Sequence, residues 1–352
     1  MVATDTPSKP EKLVNRWQDK VQYYSHLGLT GIFAAAACAD AGLSLWFPIG
    51  LTLAARLWSK QDAFIDDQHD PENPLHHTRS AALHDRIVTY ADRLGTRKAP
   101  RFYHINDDNQ RYMVAASDKG ILLNEAKYNR YNLNDAQTDT VLAHEVAHFA
   151  NKDYTKATTI TAMGLAAISA AFGNFVDALA QNPSDLWLSL DLTIGAMVAC
   201  VTPALTQEKI TLKNALPLRC APMITAFTVA AGTAIGGSAA VSEAALSFAL
   251  VLTGTSLLKN NYERRREYRA DEIAAHLTEQ PEQLVYALTT MEVCDGEQPR
   301  INKNWKQRLG NDFVEAFESH PYLEHRIANL DAVGEELDAR KAHRTQSSTP
   351  AP

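Results

Sequence analysis

His144-Glu145-Val146-Ala147-His148 fits the pattern H-E-x-x-H. On an α-helix, positions i and i+4 differ by only about 40° around the axis. Both imidazoles therefore leave one face and can reach a single metal ion. Glu145 follows the first histidine directly, so its carboxylate stands beside that ion, the place for a general base. The preceding residues, Asn134-Asp135-Ala136-Gln137-Thr138-Asp139, read as a helix start, with Asn134 or Asp135 as N-cap and acidic residues in the first turns. Val141, Leu142, Val146 and Ala147 supply an apolar face to pack that helix on a core.

Zinc sites of this kind take three protein ligands and keep a fourth position open. One solution places a third histidine shortly after a glycine turn. Asn151 and Tyr154 occupy those positions, which excludes that class. The other solution is a glutamate on a later helix. The best candidate is Glu267, in Arg264-Arg265-Arg266-Glu267-Tyr268-Arg269-Ala270-Asp271, with Glu263 as the nearest competitor. Glu267 and Asp271 share a helix face at i,i+4 spacing. One can bind the metal while the other takes the free ring N–H of a ligating histidine, fixing its tautomer.

With these residues the chain resembles the HtpX-type zinc metallopeptidases, relatives of the CAAX prenyl proteases. The resemblance rests on His144 to Asp153, on Glu267-Tyr268-Arg269-Ala270-Asp271, and on Ser319-His320-Pro321-Tyr322-Leu323-Glu324-His325-Arg326-Ile327. It implies His144, His148 and Glu267 as ligands of one Zn2+ per chain, Glu145 as base, and Asp271 behind the ligands. It further implies His320 near the substrate carbonyl, stabilising the oxyanion, and Arg326 holding that segment in place. The implied fold is mainly α with a small β-sheet: polytopic membrane helices plus a gluzincin-type metallopeptidase domain. The family's upstream asparagine has no clear counterpart in Arg111 to Ala116; Asn109 is near but displaced.

The 352 residues suffice for one globular domain plus membrane segments, and the net charge of -7 argues against a nucleic-acid partner. Cys38, Cys200, Cys220 and Cys294 lack zinc-ribbon or close pairing and read as small buried hydrophobes. Polar residues 1–24 precede the first apolar run, so no cleavable signal peptide is expected.

Apolar runs cover Leu27 to Trp58, Thr159 to Val176, Leu186 to Thr206 and Cys220 to Leu258, the last long enough for two spans. Loops with lysine and arginine alternate with loops without them, which fits six crossings and puts the candidate site on the cytoplasmic side; the resemblance implies a bacterial inner membrane. The family's usual topology has fewer spans between the zinc helix and Glu267, so four crossings remain the alternative. The mean hydropathy of -0.25 is low for a polytopic protein. Asp191 and Glu243 are expected near helix ends. The division expected is 1–26 as a cytoplasmic N-terminal segment, 27–58 as a membrane hairpin and 61–156 as the first part of the catalytic domain. Then follow 157–259 as membrane helices, 260–340 as the second part of that domain, and 341–352 as a disordered tail.

In the polar part, Arg101 to Ile105, Tyr112 to Ala116 and Gly120 to Leu123 read as strands, whose edge could take an extended peptide. His76, His77 and His84 read as solvated rather than as a second metal site. The function expected is a membrane-anchored zinc endopeptidase acting on protein or peptide substrates; the resemblance implies misfolded membrane proteins among them. A prenyl-protein protease, an intramembrane protease and a silent zinc-binding scaffold stay open, as does a homo-oligomer.

Overall fold

The computed structural model describes residues 16–40, 77–106, 113–117, 120–185, 227–295 and 320–347. Among them the chain is mostly helical with one three-stranded sheet. The elements in order are α1 (Arg16–Asp40), α2 (His77–Arg93), β1 (Arg101–Ile105), β2 (Val114–Ala116), β3 (Gly120–Asn124) and α3 (Glu125–Tyr131). Then come α4 (Asp135–Asn151), α5 (Asp153–Gln181), the short α6 (Phe227–Gly236), α7 (Ala239–Thr278), α8 (Pro281–Cys294) and α9 (Leu323–Ser347).

The sheet has the order β1-β3-β2. β1 runs parallel to β3, pairing Arg101 with Gly120 and Tyr103 with Leu122. β2 runs antiparallel to β3, pairing Val114 with Leu123. β3 is buried along its whole length, as a central strand should be. Gly120 opens it because a Cβ there would collide with the Arg101 carbonyl oxygen and the Tyr103 ring. β2 lies at the edge of the three-stranded sheet, next to α4.

α4 starts at a capping box. The Asn134 side chain accepts from the Gln137 N–H at 2.9 Å, and the Gln137 side chain accepts from the Asn134 N–H at 3.0 Å. Its inner face supplies Leu142, Ala143, Val146 and Ala147, all fully buried, to a core shared with Ile87, Ile121, Ala274, Leu284 and Leu330. The helix stops at Lys152, which takes the left-handed conformation (φ 54°). α5 starts at once with Asp153, in a new direction.

α5 and α7 are the two described helices long and apolar enough to cross a membrane. α5 has 29 residues and α7 has 40, about 60 Å of unbroken helix at 1.5 Å per residue. They pack together with α1 through small residues: Ala34, Ala167, Ala170, Ala171 and Val251 form one buried cluster. Leu165, Phe172, Val176, Leu246 and Leu250 face outward. At their far ends, Asp185 Oδ2 accepts the Ser238 N–H at 2.6 Å, and the Ser238 hydroxyl caps α7 by accepting from Val241 N–H. Gly237 is needed there, since a Cβ would crowd Thr233 O at 3.0 Å and Asp185 Oδ2 at 3.2 Å. Glu243 is exposed within the second turn of α7, near a helix end as expected.

Of the six crossings expected, two fall on described helices of the required length and apolarity, α5 and α7. α1 begins at Arg16, inside the expected N-terminal segment, and its first turns carry Gln18, Asp19 and Lys20. The described part of α6 is Phe227–Gly236. Residues 41–58 and 186–206, with Asp191, lie outside the described residues, as do Asn109, His76, Cys200 and Cys220. Residues 341–347, expected to be disordered, instead continue a helix. α9 runs on to Ser347, through Glu335 to Ala342, which are mostly strong helix formers, with a Glu336–Arg340 pair at i,i+4 and a Lys341–Glu279 pair at 3.8 Å. Finally, the basic run from Lys259 does not end the apolar helix. α7 continues through it and carries Glu267 and Asp271 itself.

Candidate metal centre

α4 brings His144 and His148 to one face, one turn apart, with their Nε2 atoms 3.1 Å from each other. α7 crosses this face and presents Glu267. Its Oε2 lies 3.5 Å from His144 Nε2 and its Oε1 lies 3.5 Å from His148 Nε2. Among the described residues these three form the one group with metal-holding geometry, and their ligand atoms all lie within 4.8 Å of one another. Glu263 instead pairs with Lys259 at 2.9 Å.

The donor set suits a tetrahedral divalent ion. With metal–ligand distances of about 2.0–2.1 Å, tetrahedral ligand atoms stand roughly 3.3–3.4 Å apart. The three edges observed are 3.1, 3.5 and 3.5 Å. The tautomers point the same way. His148 Nδ1 lies 2.8 Å from Asp153 Oδ2, and an ionised carboxylate can only accept, so that nitrogen carries the proton. His144 Nδ1 lies 2.9 Å from Asp271 Oδ1, close though off the straight N–H···O line. In their neutral form both rings turn Nε2 lone pairs toward each other and toward Glu267, an arrangement suited to a bound cation.

Charge counts in the same direction. Glu145, Asp153, Glu267 and Asp271 bring four carboxylates around the histidines. Two guanidiniums face them. Arg326 binds Asp271 through two hydrogen bonds, Nε at 2.8 Å and Nη2 at 2.6 Å. Arg266 Nη2 lies 3.2 Å from Glu267 Oε1. With neutral imidazoles, this shell is short by the charge of one divalent ion.

The titration behaviour follows. Burial opposes the charge on Glu267, but His148, His144 and His320 outweigh it and hold the carboxyl well below the usual range. Burial likewise opposes the charge on Asp271, and Arg326 and His144 outweigh it. Burial would lower His148, yet Glu267 and Asp153 push it up to about 10. For His144, burial is outweighed by hydrogen bonding to Asp271 and Glu267, so its value also rises. At Glu145, burial raises the carboxyl; the two histidines oppose this and Glu267 adds to it. The Ala116 backbone N–H on β2 faces this carboxylate and favours its charged form.

A model of peptidase family M48 matches residues 77–208 and 207–333, more than half of the sequence. The chain belongs to peptidase family M48. The M48 match spans α2 to α9 and takes in every residue of the centre. Neither a curated protein nor a solved structure matches the chain. M48 membership and the centre together identify a metallopeptidase whose cluster of His144, His148 and Glu267 is compatible with zinc.

Of the residues singled out in the sequence, His144, Glu145, His148, Glu267, Asp271 and Arg326 meet in this centre. His320 stands at its rim, Nδ1 3.7 Å from Glu267 Oε2, with a side chain 66% exposed. Arg326 does more than hold its own segment: it ties the start of α9 to Asp271, and Asp271 in turn faces His144. His84 is exposed and takes no part. Sequence reading missed Asp153 and Arg266. Asp153 is the first acidic residue past the metal helix, five positions after His148, and that placement was the available signal. Arg266 precedes Glu267 directly. Side chains at i,i+1 do not normally face each other on a helix, so the contact of Arg266 with Glu267 has no spacing signal.

Proposed function

We propose that this protein is a membrane-anchored zinc endopeptidase. The observation that carries the reading is the half-buried Glu145 carboxylate, held beside a two-histidine, one-glutamate centre and next to an edge strand. His144, His148 and Glu267 would hold Zn2+, one per chain. Bound there, zinc supplies Lewis acidity that polarises a water molecule and the scissile carbonyl.

The rest is the work of the chain's own groups. Glu145 takes the proton of the attacking water and returns it to the departing amine. Its raised carboxyl value suits both steps, since a base poised nearer neutrality can also serve as the acid. The outer edge of β2, where the Ala116 N–H meets Glu145, takes an extended substrate and brings a peptide carbonyl past Glu145. His320, exposed at the rim, donates to the oxyanion that forms. Asp153 and Asp271 fix the two rings, and Arg326 and Arg266 fix Asp271 and Glu267.

The apolar outward faces of α5 and α7 support anchoring in a lipid bilayer. The basic residues Lys152, Lys156, Lys259 and Arg265 at the site end support a cytoplasmic centre. The HtpX-like pattern of motifs supports a role in membrane-protein quality control at the inner membrane, with misfolded membrane proteins as substrates. The division into a catalytic domain, 61–156 with 260–340, interrupted by membrane helices is part of the same proposal. The test is cleavage of casein by the full chain in detergent. Activity should vanish on chelation and return with one equivalent of zinc. Cleavage that survives complete metal removal would overturn the reading.

A further inference from the structure

We infer that the two long helices act as a ruler and confine cleavage to the first few residues by which a substrate chain leaves the bilayer. The inference rests on the membrane-anchored peptidase reading. It deepens that reading by naming the substrate class as the juxtamembrane segments of membrane-spanning chains.

The observation is helix continuity on both sides of the centre. α7 carries the metal ligand Glu267 and the apolar stretch that ends at Leu258, with no break between them. Nine residues of helix separate the two, about 13 Å. α5 carries Asp153, the partner of His148, and the apolar stretch that starts at Thr159. Six residues separate these, about 9 Å. Two independent helices thus place the centre at the same height, about 9–13 Å beyond the apolar segment. Neither connection contains a hinge: α5 is unbroken from Asp153 to Gln181 and α7 from Ala239 to Thr278.

The intervening turns have the character of a headgroup layer. Lys152 and Arg265 are exposed, Lys156 and Lys259 are half-buried, and the rings of Tyr24 and Tyr154 are exposed on α1 and α5. Basic and tyrosine side chains of this kind mark the membrane–water interface. Beyond them, Leu165 and Leu250 stand on the outward apolar faces.

Substrate must be extended to pair with β2. An extended chain advances about 3.3 Å per residue, so three to four residues are needed to climb from the hydrocarbon edge to the centre. A bond closer to its own span cannot reach Glu145. A bond far along a flexible tail reaches it, but the advantage of tethering decays roughly as the −3/2 power of the tether length. The favoured window is therefore short and close to the membrane.

The experiment uses the full zinc-loaded chain in phosphatidylcholine–phosphatidylglycerol liposomes. One casein segment that the chain cleaves in detergent is fused behind a single Leu/Ala membrane span through Gly/Ser linkers of about 1, 6 and 30 residues. By the lengths above, the linker of about 6 residues should be cut fastest. The linker of about 30 should be cut about tenfold more slowly, since a fivefold longer tether loses about that factor. With the shortest linker, the bonds next to the span should stay intact and the first cut, mapped by mass spectrometry, should lie at least about four residues out. Equal rates for the middle and long linkers, or cuts directly at the span, would overturn the ruler. In that case the free casein segment is still cleaved and Glu145→Gln is inactive, so the peptidase reading survives. If zinc-loaded chain cleaves neither free nor tethered segment, the peptidase reading fails and the ruler with it.

Discussion

Asp153 and His148 sit 2.8 Å apart, carboxylate Oδ2 to ring Nδ1, across the break between the metal helix and the first long apolar helix. The break makes the contact. Lys152 closes α4 in the left-handed conformation, and the very next residue, turned back toward the site, is the acid that orients a ligand. Asp153→Asn keeps an acceptor but removes the charge. Zinc affinity, measured by competition with a fluorescent chelator, should fall by about 10–100-fold, the usual effect of losing a partner that orients a ligand. An unchanged affinity would remove Asp153 from the centre.

Arg326 and Asp271 form a two-bond ion pair in which Asp271 is fully buried. Arg326→Met leaves a buried carboxylate without its counter-charge, which costs about 3–5 kcal/mol. Urea unfolding should show that loss. The double change Arg326→Met with Asp271→Asn should recover part of it, because the stranded charge is gone.

His148 gives the metal-stripped protein a distinct pH dependence. Its folded value, about 10, lies above the ordinary histidine value of about 6.5. A group raised on folding contributes stability that is complete below the unfolded value and is lost as pH rises through the folded one. Metal-stripped protein should therefore be less stable in urea at pH 9.5 than at pH 6. Zinc takes the place of the proton, so the loaded protein should not show this loss. On the acid side, Glu267 and Asp271 are held low, and their contribution, present above about pH 4, should fade only as pH drops through their folded values.

His320 stands 3.7 Å from Glu267 with its side chain mostly exposed. His320→Ala should leave the zinc content unchanged and the stability within about 0.5 kcal/mol, as for other surface changes. As a donor to the oxyanion, its loss should lower kcat by about 100-fold or more, with little change in KM. A change confined to KM would instead make it a substrate-binding residue.

How much of this was legible in the sequence follows from how local each signal is. β1, at Arg101–Ile105, and the start of β3 at Gly120 could be read directly, because alternation and the Gly120 punctuation are short-range features. The helix that carries His144 and His148, with its Asn134 cap, was legible for the same reason. Glu267 and Asp271 could be paired by i,i+4 spacing, but not the fact that their helix is the apolar one. The change from Leu258 to Lys259 looks like a helix end in composition, whereas the backbone runs straight through. Asp153 depends on a left-handed turn at a lysine, where glycine would have been the expected marker. Arg266 depends on a contact between adjacent residues of one helix. Contacts of that kind have no sequence period.

Glu145 bears the central claim. The most direct test compares the native chain with Glu145→Gln, measuring bound zinc and casein cleavage on the same samples. Glu145 is not among the three ligand-bearing residues. The account therefore requires one zinc per chain in both proteins and cleavage in the native protein alone, with Glu145→Gln reduced by at least about 100-fold, as removal of a general base demands. Glu145→Gln that binds zinc and cleaves as fast as the native chain would contradict it.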